Sequence, residues 1–326
     1  MNTQVEQLNN DGVQFFLGGK FSEAKQKYEE ALSLSPNYPT TLNNLGMLLL
    51  KEEDFKKAEY CFKQAIKVKE SATYLANLGH VYANQREFAL AEQQYIKAIE
   101  KDQQSLLAYK SLAGLYQYIR KYEASVTIWK YILETLSHDM EYKLNLAKDC
   151  IHLENYTLAL SILLEVTQQE PKKHEAYYYI SMIQFHQKNF GIALDAIYQS
   201  LSIQPDNASY RKLAASLHLA LSNFKKAEEQ WNFLLTLNEN HHDVRIDKAI
   251  GLLSIQQFEK ALEELEFILK QTNHNKASFY KALVLLELKR DETQAIETLT
   301  AFTKGSSEYA IKAKEYLQEL KNSKTL

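Results

Sequence analysis

The 326-residue sequence predicts an all-α solenoid, in which short helix pairs stack one behind another. An aromatic residue recurs at intervals of 33 or 34 positions: Phe21, Phe55, Phe88, Tyr122, Tyr156, Phe190, Phe224 and Phe258. Ala or Ser follows three positions after each aromatic, and Ala295 continues that series. Only 9 Gly and 4 Pro occur, which disfavours turn-rich β folds. A fixed period of this length is typical of a helical repeat array.

One period shows why each repeat should form two helices. In the unit that begins near residue 39, Leu42, Leu45 and Leu49 have helical spacing, and so do Phe55, Ala58, Phe62 and Ala65. The polar residues 51–54 separate the two runs. The unit therefore predicts two antiparallel helices of about a dozen residues, joined by a short turn.

Small and large residues at fixed positions predict how the helices pack. A side chain larger than Ala or Ser would push apart two helices that cross closely. Gly12, Gly46 and Gly79 share one position in the first helix, where Gly costs about 1 kcal/mol, so we expect them to serve close packing. Trp129 and Trp231 share the aromatic position of the second helix and are predicted to lie in the core.

These residues resemble the tetratricopeptide repeat. The third unit matches that pattern at Leu75, Leu78, Gly79, Tyr82, Phe88, Ala91, Tyr95 and Ala98. On this basis the array covers residues 5–305, with repeats beginning near 5, 39, 72, 106, 140, 174, 208, 242 and 276. The resemblance implies a right-handed superhelix of antiparallel helix pairs.

The later repeats depart from the pattern. The first-helix Gly is replaced by Ala113, Ala147, Ser181, Ala215, Ala249 and Leu283. Glu292 stands where the ninth aromatic should be, so the turn before it is poorly defined by the sequence. Residues 306–321 are predicted to form a C-terminal capping helix, with one apolar face, and residues 1–4 and 322–326 are expected to fray.

Composition and charge limit the possible function. The 38 basic and 41 acidic residues give a net charge of −3, without the basic stripe that general nucleic-acid binding needs. The start of the chain lacks a signal-peptide pattern, and apolar runs are short, so we expect a cytoplasmic protein with no membrane insertion. Cys61 and Cys150 are expected to be buried free thiols, consistent with a reducing compartment.

Catalytic motifs are absent from the sequence. It contains no phosphate-binding Gly loop, nucleophile elbow, Cys-x-x-Cys or His-Glu-x-x-His. His241 and His242, beside Asp243, could form a weak metal site, but a solvated junction between repeats is the favoured interpretation. The sequence therefore predicts a protein that is not an enzyme, with no cofactor, metal or small-molecule substrate.

The resemblance implies that a partner lies along the concave side, which the first helices line. Asn10, Asn44, Asn77 and Asn145 occupy one position there, and Asn amides could pair with the backbone of an extended peptide. The alternative is that Asn is favoured at this position for packing and local hydrogen bonds. Lys110 and Lys148 would add positive charge. The family's basic clamp for carboxylates lacks its basic members, because Asn9 and Thr73 stand at two of its positions.

Repeat six offers a second candidate site. Tyr178, Tyr179, Met182 and Phe185 lie on its first helix, where aromatics and Met could anchor an apolar side chain or a partner helix. Alternatively, the curvature of the superhelix buries them.

Together these features predict a scaffold or adaptor that binds an extended peptide or a partner helix in the concave groove. An alternative is a docking or regulatory subunit of an enzyme or of a secretion or assembly complex. An RNA-binding helical repeat is a third possibility, which the negative net charge disfavours.

Overall fold

A computed structural model describes residues 2–324. Of the residues expected to fray, 2–4 and 322–324 are helical, and residues 1, 325 and 326 lie outside the described part. Between residues 2 and 324 the chain is built of helices, without a β-strand. The first helices of successive pairs are α1 (Asn2–Leu17), α3 (Pro39–Lys51), α5 (Ala72–Asn84), α7 (Leu106–Tyr118), α9 (Met140–His152), α11 (His174–His186), α13 (Ala208–Ala220), α15 (His242–Ser254) and α17 (Asn275–Glu287). The second helices are α2 (Phe21–Leu34), α4 (Phe55–Val68), α6 (Phe88–Lys101), α8 (Tyr122–Tyr131), α10 (Tyr156–Gln169), α12 (Phe190–Ile203), α14 (Phe224–Leu237), α16 (Phe258–Leu269) and α18 (Glu292–Phe302). A further helix, α19 (Glu308–Lys324), follows them.

The prediction of an all-α solenoid is confirmed, because the helices pack mainly on their neighbours along the chain, as α5 does on α6 and α11 on α12. The chain forms two compact units: the N-terminal unit ends at Val166 and the C-terminal unit begins at Thr167. No described helix is both long enough and apolar enough to cross a membrane.

Every turn inside a helix pair uses the same hydrogen bonds. In the second repeat the amide of Asp54 donates to the carbonyl of Leu49 at 2.9 Å, and that of Glu53 donates to Leu50 at 3.1 Å. These two bonds define a Schellman motif, whose penultimate residue adopts the left-handed conformation. The left-handed residues are Gly19, Glu53, Arg86, Arg120, Glu154, Lys188, Ser222, Gln256 and Lys289. This turn separates the two helices by three residues in the first eight pairs and by four in the ninth.

Close packing explains the three first-helix glycines, as predicted. A Cβ atom at Gly12 or Gly79 would lie 2.5 Å from a ring carbon of Tyr28 or Tyr95, the large residue of the same repeat's second helix. Gly46 faces Phe62 in the same way, at 2.8 Å. The missing side chain therefore makes room for an aromatic ring.

The predicted core residues are buried. Trp129 and Trp231 are 3% and 2% exposed, so their assignment to the core is confirmed. Cys61 and Cys150 are buried free thiols, also as predicted. Burial raises the pKa of the Cys61 thiol to about 11, which keeps it protonated at neutral pH.

The ninth pair corrects one predicted position. The small residue of its first helix is the buried Ala282 and not Leu283, which the regular period would place there. The left-handed residue Lys289 follows Gln256 by 33 positions, whereas Ala295 follows Ala261 by 34. Helix α17 therefore begins one residue early, and its turn contains one extra residue, the left-handed Asp291.

Two local features complete the fold. Helix α8 ends in a π-helical turn, Ile132–Leu136, which the sequence period did not indicate. The apolar face of α19, including Ala313 and Tyr316, packs on the core formed by α17 and α18. This contact is what a capping helix requires, and we keep the capping role as a prediction.

Candidate functional site

Side-chain amides join the first helices of the first three repeats. The Asn9 Oδ1 atom on α1 accepts hydrogen bonds from Thr41 Oγ1 at 3.0 Å and from Asn44 Nδ2 at 2.9 Å, both on α3. Asn77 Nδ2 on α5 donates to Asn43 Oδ1 on α3 at 2.7 Å. Three helices are thus connected laterally by polar side chains.

Two contacts between sequence neighbours complete the connection. Asn43 Nδ2 donates to Asn44 Oδ1 at 3.3 Å, and Asn9 Nδ2 donates to Asn10 Oδ1 at 3.4 Å. Hydrogen bonds therefore run without a break through five residues, which we call the amide row: Asn77, Asn43, Asn44, Asn9 and Asn10.

The amide row has a buried side and an exposed side. Asn9, Asn43 and Asn77 are 5%, 8% and 5% exposed, so the predicted binding residue Asn77 lies in the interior and supports the row. Asn44 is half-buried and Asn10 is exposed. These two amides are therefore the members that an external ligand can reach.

Sequence reasoning did not assign Asn43 to the site, and it considered Asn9 only for a carboxylate clamp. The available signal was the pair of adjacent asparagines, at 9–10 and again at 43–44. Whether these asparagines can form hydrogen bonds with one another depends on the lateral distance between α1 and α3, which a sequence period does not give.

The other predicted residues of the N-terminal unit form a separate group on α7 and α9. Lys148 Nζ lies 3.5 Å from Asn145 Oδ1, and Lys110 Nζ lies 5.2 Å from the centre of the Tyr142 ring. Gln117 also donates to the backbone carbonyl of Asn145, at 3.5 Å. Asn145 thus has different partners from the asparagines of the amide row.

A pocket of about 470 Å³ lies between α5 and α7; we call it the α5–α7 pocket. On its wall His80 Nε2 and Ser111 Oγ lie 2.9 Å apart. Because Ser111 Oγ donates to the carbonyl of Leu107 at 2.7 Å, the histidine nitrogen is the donor in this contact. Burial lowers the pKa of His80, which keeps its ring neutral at physiological pH.

In the C-terminal unit the four predicted residues of repeat six separate into two kinds. Tyr178 and Phe185 pack against the core of α12 and α13, with the Tyr178 ring centre 4.9 Å from that of Tyr210. Burial accordingly raises the pKa of Tyr178. Tyr179 is half-buried beside Tyr178, and Met182 is 36% exposed. Met182 is therefore the most accessible of the four.

Tyr178 also borders a second pocket, of about 400 Å³, lined by residues of α11, α13, α14 and α15. Here Lys212 Nζ lies 3.7 Å from one carboxylate oxygen of Asp247, and Lys276 Nζ lies 3.9 Å from the other. Burial raises the pKa of Asp247 although both lysines oppose that shift. The sequence period did not indicate this charged group.

Among the described residues, no group of three or more His, Cys, Asp or Glu side chains is arranged to hold a metal ion. His242 Nε2 lies 3.3 Å from Gln271 Oε1, and its ring packs edge-on to that of His274 at 6.4 Å. His242 thus has contacts of its own at the junction between repeats.

Comparisons with known proteins agree with this geometry. A family model described as "TPR repeat" matches residues 12–52, and one described as "Tetratricopeptide repeat" matches residues 43–105. The C-terminal part of a TPR repeat-containing protein from Cytophaga hutchinsonii superimposes with a TM-score of 0.59 and 14% identity, over 72% of this chain and 97% of that one. This likeness concerns the fold alone.

Two curated proteins are similar over shorter stretches. The uncharacterized protein ycf37 of Pyropia yezoensis is 35% identical over 81 residues, which is 25% of this chain and 41% of that protein. Anaphase-promoting complex subunit CDC16 of Saccharomyces cerevisiae is 26% identical over 123 residues, which is 35% of this chain and 15% of that protein. The matched part is less than half the length of either relative. Tetratricopeptide-repeat models thus match residues 12–105, and the helix pairs in the rest of the described chain fit a tandem array of the same repeat.

Proposed function

We propose that the chain is a non-catalytic scaffold whose N-terminal unit binds an extended peptide along the amide row. The observation that carries this proposal is the unbroken hydrogen-bonded connection from Asn77 to Asn10. Exposed amides offer both donors and acceptors, which are the groups that pair with a peptide backbone whatever its side chains.

Internal hydrogen bonds prepare the exposed amides for this role. Asn44 uses one N–H to reach Asn9 and accepts one bond from Asn43, which leaves its second N–H and a lone pair for a ligand. A side chain that is already held in place loses less entropy when it binds. The buried asparagines therefore orient the accessible ones. In this proposal Asn9, Asn43 and Asn77 have the structural role, and Asn10 and Asn44 have the binding role.

A peptide-display library selected against the full chain tests this proposal. Synthetic versions of the enriched peptides should bind the double variant Asn10→Ala/Asn44→Ala about tenfold more weakly or worse, a loss of about 1.4 kcal/mol. Replacing the exposed turn residue Asn37 by Ala is the matched control and should leave affinity unchanged.

The same peptides distinguish backbone recognition from side-chain recognition. Methylation of single backbone nitrogens should weaken binding at positions opposite the row, whereas alanine substitution there should have little effect. Unchanged affinity of both the double variant and the methylated peptides would contradict the proposal. Circular dichroism melting of each variant checks that the fold is retained.

For the C-terminal unit we propose an apolar contact with a partner helix, centred on Met182. Met182 is exposed and follows Tyr178, which lines the pocket of about 400 Å³, by one helical turn, and its flexible thioether suits contact with an apolar anchor residue. Met182→Glu should weaken binding of a partner of the full chain, and Ile192→Glu, at an exposed residue of α12, is the control.

We further propose that the partner is a protein or peptide, rather than a nucleic acid, a membrane or a small molecule. The net charge of −3 supports this choice. Similarity to a named subunit of the anaphase-promoting complex makes a docking subunit of a larger assembly the second candidate. A cytoplasmic location is consistent with the free, buried thiols of Cys61 and Cys150.

A further inference from the structure

Gly114, in the middle of α7, has no packing reason to be glycine. A Cβ at Gly12, Gly46, Gly79 or Gly251 would lie within 3 Å of an aromatic ring, but a Cβ at Gly114 would meet no atom within 4 Å. Glycine is disfavoured in a helix interior relative to alanine. Packing therefore does not explain glycine at this exposed position.

Gly114 lines the α5–α7 pocket. Ser111 precedes it by one helical turn and Tyr118 follows it by one turn, and both also line the pocket. A side chain at position 114 would project between them and reduce the space. Glycine is also the residue that lets a ligand approach a helix backbone closely.

The chemistry of the walls indicates what the pocket would accept. Phe88, Tyr95 and Tyr118 supply aromatic surface, and Tyr118 is 65% exposed although its ring centre is 5.4 Å from that of Phe88. His80 donates to Ser111 and its pKa is lowered by burial. Of the described residues that line the pocket, Arg86 is the charged one, and none carries a carboxylate.

An aromatic side chain complements this environment in two ways. Its edges and face pack against the aromatic walls, and its electron-rich face attracts the guanidinium group of Arg86. A cationic side chain would be repelled by Arg86 and would find no carboxylate. The pocket volume of about 470 Å³ holds one large side chain.

The position of the pocket connects it to the amide row. His80 lies three residues after Asn77 on α5, so the pocket begins one helical turn beyond the last member of the row. We propose that the α5–α7 pocket binds an aromatic side chain of the partner, and that the absence of a side chain at Gly114 keeps the space open for it. This inference rests on the proposed peptide-binding function and adds to it a preference for one residue class.

Single-residue probes test the pocket directly on the full chain. In ligand-observed NMR titrations, N-acetyl-L-tryptophanamide should bind saturably, and Gly114→Leu should weaken its binding at least about tenfold. Gly191→Leu is the matched control, because Gly191 is also an exposed helical glycine with no atom near its missing Cβ. Equal binding of the probe to wild type and Gly114→Leu would overturn the proposal. Stronger binding of N-acetyl-L-glutamic acid amide or N-acetyl-L-lysine amide would overturn the aromatic assignment.

A second variant separates occupancy from folding. Gly114→Ala should raise the denaturation midpoint and yet weaken the tryptophanamide probe, a combination that misfolding does not produce. Equal denaturation midpoints and equal probe affinities for the wild type and Gly114→Ala would contradict the pocket proposal.

The two proposals can fail independently. If Asn10→Ala/Asn44→Ala leaves peptide affinity intact while Gly114→Leu abolishes probe binding, the amide-row proposal fails and the pocket assignment stands. If instead the double variant loses peptide affinity while Gly114→Leu binds the probe as the wild type does, the amide-row proposal stands and the pocket assignment fails.

Discussion

Gly251 on α15 lies against the indole ring of Trp231 on α14, so that a Cβ at position 251 would approach the ring at 2.5 Å. Trp231 belongs to the seventh repeat and Gly251 to the eighth, whereas the earlier glycines face a ring of their own repeat. The indole of Trp231 is larger than a Tyr or Phe ring, and it is accommodated by a glycine of the following repeat.

The first prediction follows from this contact. Gly251→Ala should destabilise the chain by about 1–3 kcal/mol, because the indole must move to admit the methyl group. Chemical denaturation measures the change. Gly191→Ala, at a glycine with open space beside it, should cause no loss, and an equal loss in both variants would contradict the packing explanation.

The second prediction concerns the left-handed turn positions. Lys188→Gly should stabilise the chain by up to about 1 kcal/mol, because Lys188 has a φ of 63° and glycine adopts that conformation without steric cost. The neighbouring Gln187 has a φ of −77°, so Gln187→Gly should destabilise instead. Urea denaturation should therefore show a higher free energy of unfolding for Lys188→Gly and a lower one for Gln187→Gly than for the wild type.

The third prediction concerns Asn9, whose Oδ1 atom accepts two hydrogen bonds in the amide row. Asn9→Ala should destabilise by about 1–3 kcal/mol, since it leaves the buried Thr41 hydroxyl without its acceptor. Asn10→Ala removes an exposed amide and should change the free energy of unfolding by less than about 0.5 kcal/mol. Similar values for the two variants would show that the row contributes little to stability.

The fourth prediction concerns pH. His218 is 1% exposed, its Nε2 lies 2.8 Å from Tyr198 Oη, and burial lowers its pKa. The folded state therefore favours the neutral ring, and stability that is present above the unfolded pKa of about 6.5 is lost as pH falls below it.

His218→Gln should make the free energy of unfolding less dependent on pH between about pH 7.5 and 5 than in the wild type. The control is His138→Gln, at an exposed residue, which should keep the wild-type dependence. An unchanged slope in His218→Gln would contradict the prediction.

Much of the fold could be predicted because packing imposes a period on the sequence. Where two helices cross closely, large and small residues must alternate at fixed positions, and residues such as Phe62 and Gly46 report this directly. The period says less about the backbone of the turn, where Schellman hydrogen bonds hold residues as different as Glu53 and Lys188 in one conformation. The period also hides the early start of α17, because the extra turn residue Asp291 compensates for it and Ala295 still follows Ala261 by 34 positions.

The candidate site could be predicted only in part. A first-helix position identified Asn44 and Asn77, but only the structure shows that Asn77 is buried and that Asn43 links the two. Lateral contacts depend on how far apart successive first helices lie, and no spacing along one chain records that distance. The same holds for Lys212 and Asp247, which are 35 residues apart in sequence and meet beside one pocket.

The hydrogen bonds of the amide row also affect how the array unfolds. In a nearest-neighbour description of a repeat protein, stability is divided between the intrinsic energy of each repeat and the coupling between adjacent repeats. The contacts from Asn9 to Asn44 and from Asn43 to Asn77 belong wholly to the coupling. Amide hydrogen exchange should therefore show the first three repeats opening together as one cooperative block, rather than peeling away singly from the amino-terminal end.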